Sequence, residues 1–330
     1  MTARTDFRLP AEWERQSATL LAWPHEKTDW ATDLPAIQAE YTDLVHAITR
    51  RQPAVVLIPP GNTSAAEKLG DRPGLHLVEV PYNDTWCRDY GPITLVHGGE
   101  RLALDFYFNG WGGKYASNLD NRVNTALARH ELFNRFTFRQ YLFELEGGAI
   151  DCDGDGFLLV NWHCLRARHR HLADKEIDHE LHTLLNVDKV LGIDLPPMAG
   201  DDTDGHIDTL ARFVASDKVV YQAQQDPSRS TELRTQLENI QGEGGKDFEL
   251  IELPVAAGVE RSLPASYANF LFVNDGLLVP AFGSDADEQA RSILEQAVPD
   301  RRVESVSTRA MIRQFGGPHC ATMHLPSSLG

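Results

Sequence analysis

Chemistry-bearing residues recur along this chain at nearly constant spacing. Asp89, Glu146, His206, Tyr267 and Cys320 lie 57, 60, 61 and 53 residues apart. A period just above fifty residues marks a repeated structural unit, and the same grammar returns between these positions: a helix, an incoming strand, a polar loop and a hairpin. In the first unit Leu34, Ile37, Tyr41, Leu44, Val45 and Ile48 fall in steps of three and four on one helix face. Asp33 precedes that helix as a cap, and Pro35 suits its first turn. AVVLIP from Ala54 and LHLVEV from Leu75 read as strands, with TSAAEKLG as a short helix between them. PITLV and LALDF form a hairpin across Gly98-Gly99. VNTALARHELFNRF is helical by period and leads into the strand YLFEL. Further helices are expected near Ala173–Asn186, Thr231–Ile240 and Asp287–Ala297. Further hairpin turns are expected at CDGDG, at Ser216–Asp217 and at Asn274–Asp275–Gly276.

Five such units consume about the whole chain. Arranged radially, they bring five loops to one central point, so that residues distant in sequence share a site. The final gap is the shortest, so the N-terminal segment is expected to complete the last unit. Residues 1–330 are read as a single domain.

With 42% hydrophobic and 24% charged residues, the composition excludes disorder, collagen and coiled coil. Acidic residues outnumber basic ones 48 to 31, for a net charge of −17. Such a chain repels phosphate backbones and anionic membrane surfaces and concentrates small cations. Nucleic acid and membrane partners are therefore not expected. No apolar run approaches the roughly 18 residues of a spanning helix, and no basic-then-apolar leader opens the chain. The four cysteines are too sparse for a disulfide scaffold. The default location is the cytoplasm.

Four segments carry the unusual residues. YNDTWCRDYGP sets Asp84, Arg88 and Asp89 beside Trp86 and Tyr90; carboxylates against an aromatic wall suit a planar cation. The alternative is an Arg88–Asp89 pair that merely stabilises a turn. EGGAIDCDGDG places Glu146 at a strand end, where glycine allows close backbone approach. Its Asp run fails as an EF-hand, because the twelfth residue from Asp151 is Trp162. GDDTDGHIDTLARF puts His206 and Asp208 on one face if the segment is a strand. An imidazole beside carboxylates suits acid–base work; a metal site, or an acidic loop with no special role, is the alternative. GGPHC forces a turn before Cys320, a candidate nucleophile or else a buried structural thiol. The histidines around His163-Cys164 match no ordinary zinc spacing. There is no GxGxxG and no GxxxxGK(S/T), so no nucleotide cofactor is expected.

As a set, WCRDYGP, EGGAIDCDGDG, GDDTDGHIDT, SYANFLFVND and GGPHC resemble the agmatine deiminase family and the related bacterial-type peptidylarginine deiminases. These are guanidino-group-modifying enzymes of the pentein fold. The likeness runs from about residue 13 to residue 326 and implies an α/β fold, a five-bladed propeller of ββαβ repeats. It also implies a cysteine hydrolase that needs no cofactor and no metal. Cys320 matches the family's nucleophile and His206 its general acid/base. Asp89 and Asp208 match the carboxylates that grip the guanidinium, Glu146 the acid that supports the histidine, and Trp86 the aromatic wall.

The implied reaction converts agmatine to N-carbamoylputrescine and ammonia through a covalent amidino-thioether, a step of putrescine biosynthesis. Asp202 or Asp204 is expected to receive the distal amine, and Gly317 belongs to the glycine turn beside the substrate. GGPHC is shorter than in many family members and closer to the arginine deiminase version. The alternatives are a peptidylarginine deiminase, an amidinotransferase and a non-catalytic cation-binding protein. Free arginine calls for basic partners that the motifs do not supply. A homodimer would be in keeping with this family.

Overall fold

The computed structural model describes residues 6–328. In chain order the strands are β1 (Gln16–Ala22), β2 (Ala54–Ile58), β3 (Leu75–Glu79), β4 (Ile93–His97), β5 (Glu100–Tyr107) and β6 (Phe136–Glu144). They continue with β7 (Ile150–Cys152), β8 (Phe157–Asn161), β9 (Lys189–Ile193), β10 (Ala211–Ala215) and β11 (Lys218–Gln222). The last are β12 (Glu249–Leu253), β13 (Leu271–Val273), β14 (Gly276–Ala281), β15 (Arg302–Ser307) and β16 (Thr322–Pro326). Among the described residues they form five sheets: β4-β5-β6, β7-β8-β9, β10-β11-β12, β13-β14-β15 and β16-β1-β2-β3.

Each sheet contains one pattern, an antiparallel pair followed by a parallel strand, and the β16-β1-β2-β3 sheet adds a second parallel strand, β3. The expected hairpin turns fall between β4 and β5, β7 and β8, β10 and β11, and β13 and β14. Where the pattern lacks a partner near the C-terminus, β16 pairs with β1, with Leu20 opposite Met323. The N-terminal segment thus completes the last unit.

A parallel step needs a crossover, and helices supply it. Helix Leu34–Thr49 joins β1 to β2, Pro227–Gly244 joins β11 to β12, and Asp287–Ala297 joins β14 to β15. The first of these buries Ile37, Tyr41, Leu44, Val45 and Ile48, the face its periodicity defines. Burying each such side chain contributes about 1.5–3 kcal/mol. Helix Asp174–Leu185 ends at Asn186, which turns left-handed at φ 55°.

Two segments differ from expectation. VNTALARHELFNRF is helical only over Val123–Leu127, with a separate 3-10 turn at Glu131–Phe133. There the His130 ring accepts from the Leu132 backbone N–H, an alternative to continuing the helix. The segment holding His206 and Asp208 is no strand; Ile207–Thr209 is a 3-10 turn, and β10 begins only at Ala211.

The loops that matter leave the last strand of one sheet and enter the first strand of the next. Trp86 and Asp89 lie between β3 and β4, and Glu146 between β6 and β7. Asp202, Asp204, His206 and Asp208 lie between β9 and β10, Asn269 between β12 and β13, and Cys320 between β15 and β16. No helix among the described residues is long and apolar enough to cross a membrane.

Candidate active site

These five connections meet around Cys320, whose side chain is 7% exposed. Its Sγ accepts from Asn269 Nδ2 at 3.0 Å and lies 3.6 Å from Asp208 Oδ2. Asn269 Oδ1 also accepts the Cys320 backbone N–H at 3.2 Å. Gly317 leaves room for this grip, because a Cβ there would sit 2.7 Å from Asn269 Oδ1. Burial pushes the Cys320 thiol well above its usual value, and the charges of Asp208 and Asp89 push it further.

His206 is fully buried between two carboxylates. Nδ1 is 3.7 Å from Asp89 Oδ1, and Nε2 is 3.7 Å from Glu146 Oε2. Burial favours the neutral ring, but Asp89, Cys164 and Glu146 outweigh it and hold the imidazole well above its usual value. Glu146 is anchored by Arg168, which donates to Oε1 at 2.6 Å. Burial alone would raise the Glu146 carboxyl, yet His206 and Arg168 keep it below the usual range. Burial pushes Asp89 up to about 6. Asp208 goes the other way against its burial, held low chiefly by His319.

Among the described residues, four buried polar atoms here have no hydrogen-bond partner: both His206 ring nitrogens, Glu146 Oε2 and Asp208 Oδ1. Buried polar atoms are ordinarily paired, so this is a site prepared for a polar ligand. A cavity of about 180 Å³ opens onto Cys320 between Trp86 and Trp111. Asp29, Asp84, Asp89 and Asp202 line it, and among the described residues no lysine or arginine does. Burial lifts the Asp84 carboxyl to about 7.

The two aspartates expected to meet a substrate amine differ. Asp202 lines the cavity, with Oδ2 accepting from Tyr115 at 2.8 Å. Asp204 is not among the residues that line it. Its carboxylate is already held by Lys114 at 2.9 Å and Arg168 at 2.6 Å, so two cations satisfy it. The Arg88–Asp89 turn pair is also absent. Arg88 donates instead to Glu12 Oε2 at 2.9 Å and to the His319 carbonyl at 3.2 Å.

Glu146, Cys164 and His206 bring a carboxylate, a thiol and an imidazole within 4.8 Å of one another. Such donors suit a soft cation, but the Arg168 guanidinium on Glu146 would oppose one. We assign no metal ligand there.

Three contributors had no role in the sequence reading: Trp111, Asn269 and His319. Trp111 donates its indole N–H to Asp89 Oδ2 at 2.9 Å. Tyr267, which keeps the repeat spacing, points away and donates to Asp287. Asn269, two residues later, takes the place in the site; its amide inside the apolar run of SYANFLFVND is the signal by which the sequence reading could have found it.

The family model of the Porphyromonas-type peptidyl-arginine deiminases matches residues 8–326. The agmatine deiminase of Ectopseudomonas mendocina (strain ymp) is 33% identical, over 100% of this chain and 98% of its own. That of Pseudomonas syringae pv. tomato is 31% identical, over 99% and 97%. The structure of C. jejuni agmatine deiminase, in a Cys-to-Ser form with substrate bound, aligns with a TM-score of 0.90 at 33% identity. That alignment covers 98% of this chain and 97% of the other.

A buried thiol beside an amide and carboxylates, on an α/β fold of this kind, marks a hydrolase of C–N bonds in amidines. The chain belongs to the Porphyromonas-type peptidyl-arginine deiminase family.

Proposed function

We propose that this protein is an agmatine deiminase, which hydrolyses the guanidinium of agmatine to N-carbamoylputrescine and ammonia. One observation carries the reading. The cavity that ends at Cys320 is lined by four aspartates and, among the described residues, by no lysine or arginine. A dication fits that lining from end to end. Free arginine would bring its own carboxylate against the aspartates without a basic partner.

In this reading Asp89 and Asp208 bind the guanidinium nitrogens, with Asp208 Oδ1 free to do so. Trp86 and Trp111 flank the alkyl chain, and Asp202 receives the distal amine. The bound cation offsets the carboxylate charges that hold the Cys320 proton in place, so the thiol gives that proton up to solvent and becomes thiolate as substrate enters. Sγ adds to the guanidinium carbon. The C–N bond breaks, and His206, kept protonated by its carboxylate neighbours, gives its proton to the leaving ammonia. The resulting amidino-thioether is attacked by water, whose proton returns to His206. The C–S bond then breaks to release N-carbamoylputrescine and the thiol. Glu146 orients the ring throughout.

The same reading takes the five sheets as blades of a propeller around this site. It takes residues 1–330 as one catalytic unit of a cytoplasmic, homodimeric enzyme that supplies a putrescine precursor.

The test is ammonia release from agmatine, free arginine and an arginine-containing peptide side by side, with wild type and Cys320→Ala. Release from agmatine alone, lost in the variant, is expected. Release from the peptide instead would move the protein to peptidylarginine chemistry.

A further inference from the structure

Beneath the cavity floor lies a chain of buried ionisable groups to which the mechanism above assigns no task. His319 stands between two carboxylates, with Nδ1 2.7 Å from Asp208 Oδ2 and Nε2 2.8 Å from Glu12 Oε2. All three residues are shut off from solvent, at 0% exposure for Asp208, 1% for His319 and 5% for Glu12. Carboxylate oxygens at hydrogen-bond distance from both ring nitrogens are satisfied together only by a ring that carries two N–H groups.

Glu12 is held from several sides. Arg88 donates to Oε2 at 2.9 Å, the Phe272 backbone N–H donates to Oε1 at 2.9 Å, and Arg212 lies 3.2 Å from Oε1. Each partner adjoins a residue of the site. Arg88 precedes Asp89, His319 precedes Cys320, Arg212 follows Asp208 by four positions, and Phe272 follows Asn269 by three. One side chain, from the segment ahead of β1, therefore ties together two of the five connections, through Arg88 and His319, and the starts of β10 and β13, through Arg212 and Phe272.

We propose that Glu12 and His319 are positioning residues. They form, with Asp208, a carboxylate–imidazolium–carboxylate chain that presents Asp208 Oδ1 to the substrate. This rests on the reading that Asp208 binds the guanidinium. Asp208 Oδ2 is committed to His319 and, at 3.2 Å, to Asn269 Nδ2, which leaves Oδ1 as the unpartnered atom. A carboxylate pinned through one oxygen cannot rotate the other away. With a charged ring, three carboxylates (Glu12, Asp151 and Asp208) face three cations (Arg88, Arg212 and His319), and the buried cluster is neutral. That balance is the arrangement in which buried charges are tolerated.

The charged groups around Asp208 are His319, His206 and Arg212, all of which favour its anion. Asp89 and Cys320 also sense its charge. Replacing His319 by asparagine removes the nearest cation but leaves Glu12 with Arg88 and Arg212. In His319→Asn, kcat/KM for agmatine is expected to fall at least about 10-fold, with its acid limb moved to higher pH. Glu12→Gln should lose a comparable factor, and Glu12→Asp should recover part of it.

Ring-proton NMR supplies a readout that does not depend on turnover. At neutral pH the wild type should show two slowly exchanging His319 N–H resonances. Glu12→Gln should abolish one and Asp208→Asn the other. Two outcomes overturn the proposal: a single ring N–H in the wild type, or an acid limb that stays in place in folded His319→Asn. Should Glu12→Gln fail to fold, the wild-type spectrum and His319→Asn still decide. If the wild type releases no ammonia from agmatine, the functional reading fails, while the NMR result separately upholds or sinks the chain.

Discussion

The indole of Trp111 donates to Asp89 Oδ2 at 2.9 Å from a backbone held at φ 55° and ψ 47°. Left-handed geometry costs a bulky residue roughly 1–2 kcal/mol. It persists because the ring is seated edge-on against Phe108, with centroids 4.8 Å apart, and against Tyr115 at 5.4 Å. Strain of this kind is characteristic of functional sites. Trp111→Phe keeps the packing and deletes the donor. A hydrogen bond to a charged group is worth about 1.5–3 kcal/mol, so kcat/KM for agmatine should fall about 10- to 100-fold. Asp89, already lifted to about 6 by burial, should rise further, which moves the acid limb of the pH profile upward. An unchanged profile would show that the indole does not tune Asp89.

Gly148 is where the site tolerates no side chain. A Cβ built there would meet His206 Nδ1 at 2.5 Å and Asp89 Oδ1 at 2.9 Å. Both are short side chains packed in a closed interior, with little room to give. Gly148→Ala is expected to remain folded but to lose at least about 100-fold in kcat, since small displacements of catalytic groups cost that much. Near-wild-type turnover would mean that His206 moves freely without loss.

The distal end of the cavity decides between one- and two-charge substrates. Asp202→Asn removes an anion from the lining while preserving an acceptor for Tyr115. The KM for agmatine should rise by up to about 5-fold, in keeping with a partly screened ion pair worth about 1 kcal/mol. The KM for butylguanidine, which lacks the amine, should change far less. Equal effects on both would show that Asp202 does not face the amine.

Two buried acids give stability a pH dependence. Burial lifts both Asp84 and Asp120 to about 7. Asp120 Oδ1 accepts from the Asn83 and Asp84 backbone N–H groups, while Oδ2 has no partner. Between the unfolded value of 3.8 and about 7, the unfolded chain ionises while the folded chain keeps its protons. Stability from these groups is therefore full below that window and is lost as pH rises through it, by up to about 1.4 kcal/mol per pH unit for each group. Asp120→Asn keeps the acceptor and removes the titration. Thermal unfolding between pH 5 and pH 7 should show a shallower decline for this variant than for the wild type.

Much of this site lies on the surface of the sequence. Asp89, Glu146, His206, Asp208 and Cys320 stand out because charged, imidazole and thiol groups cluster with glycine in loops between apolar strands. Their near-constant spacing follows from one sheet unit repeating. Local pattern also set the hairpins and the helix face of Leu34–Thr49. It misled where neighbouring groups overrode it: a 3-10 turn replaces the strand expected at His206, and the helix expected over VNTALARHELFNRF stops at Leu127.

What the sequence determines by itself is therefore the repeat, the strand and helix periods and the set of reactive residues, since each depends on side-chain chemistry within a few positions. Tertiary structure alone decides which carboxylate stays free. Glu12 and His319 are 307 positions apart, and no local pattern links them. The strain at Trp111, the choice of Asn269 over Tyr267, and the acidic lining beside Cys320 are likewise set by packing between sheets. There burial multiplies the weight of every charge, and distances of a few ångströms select the partner.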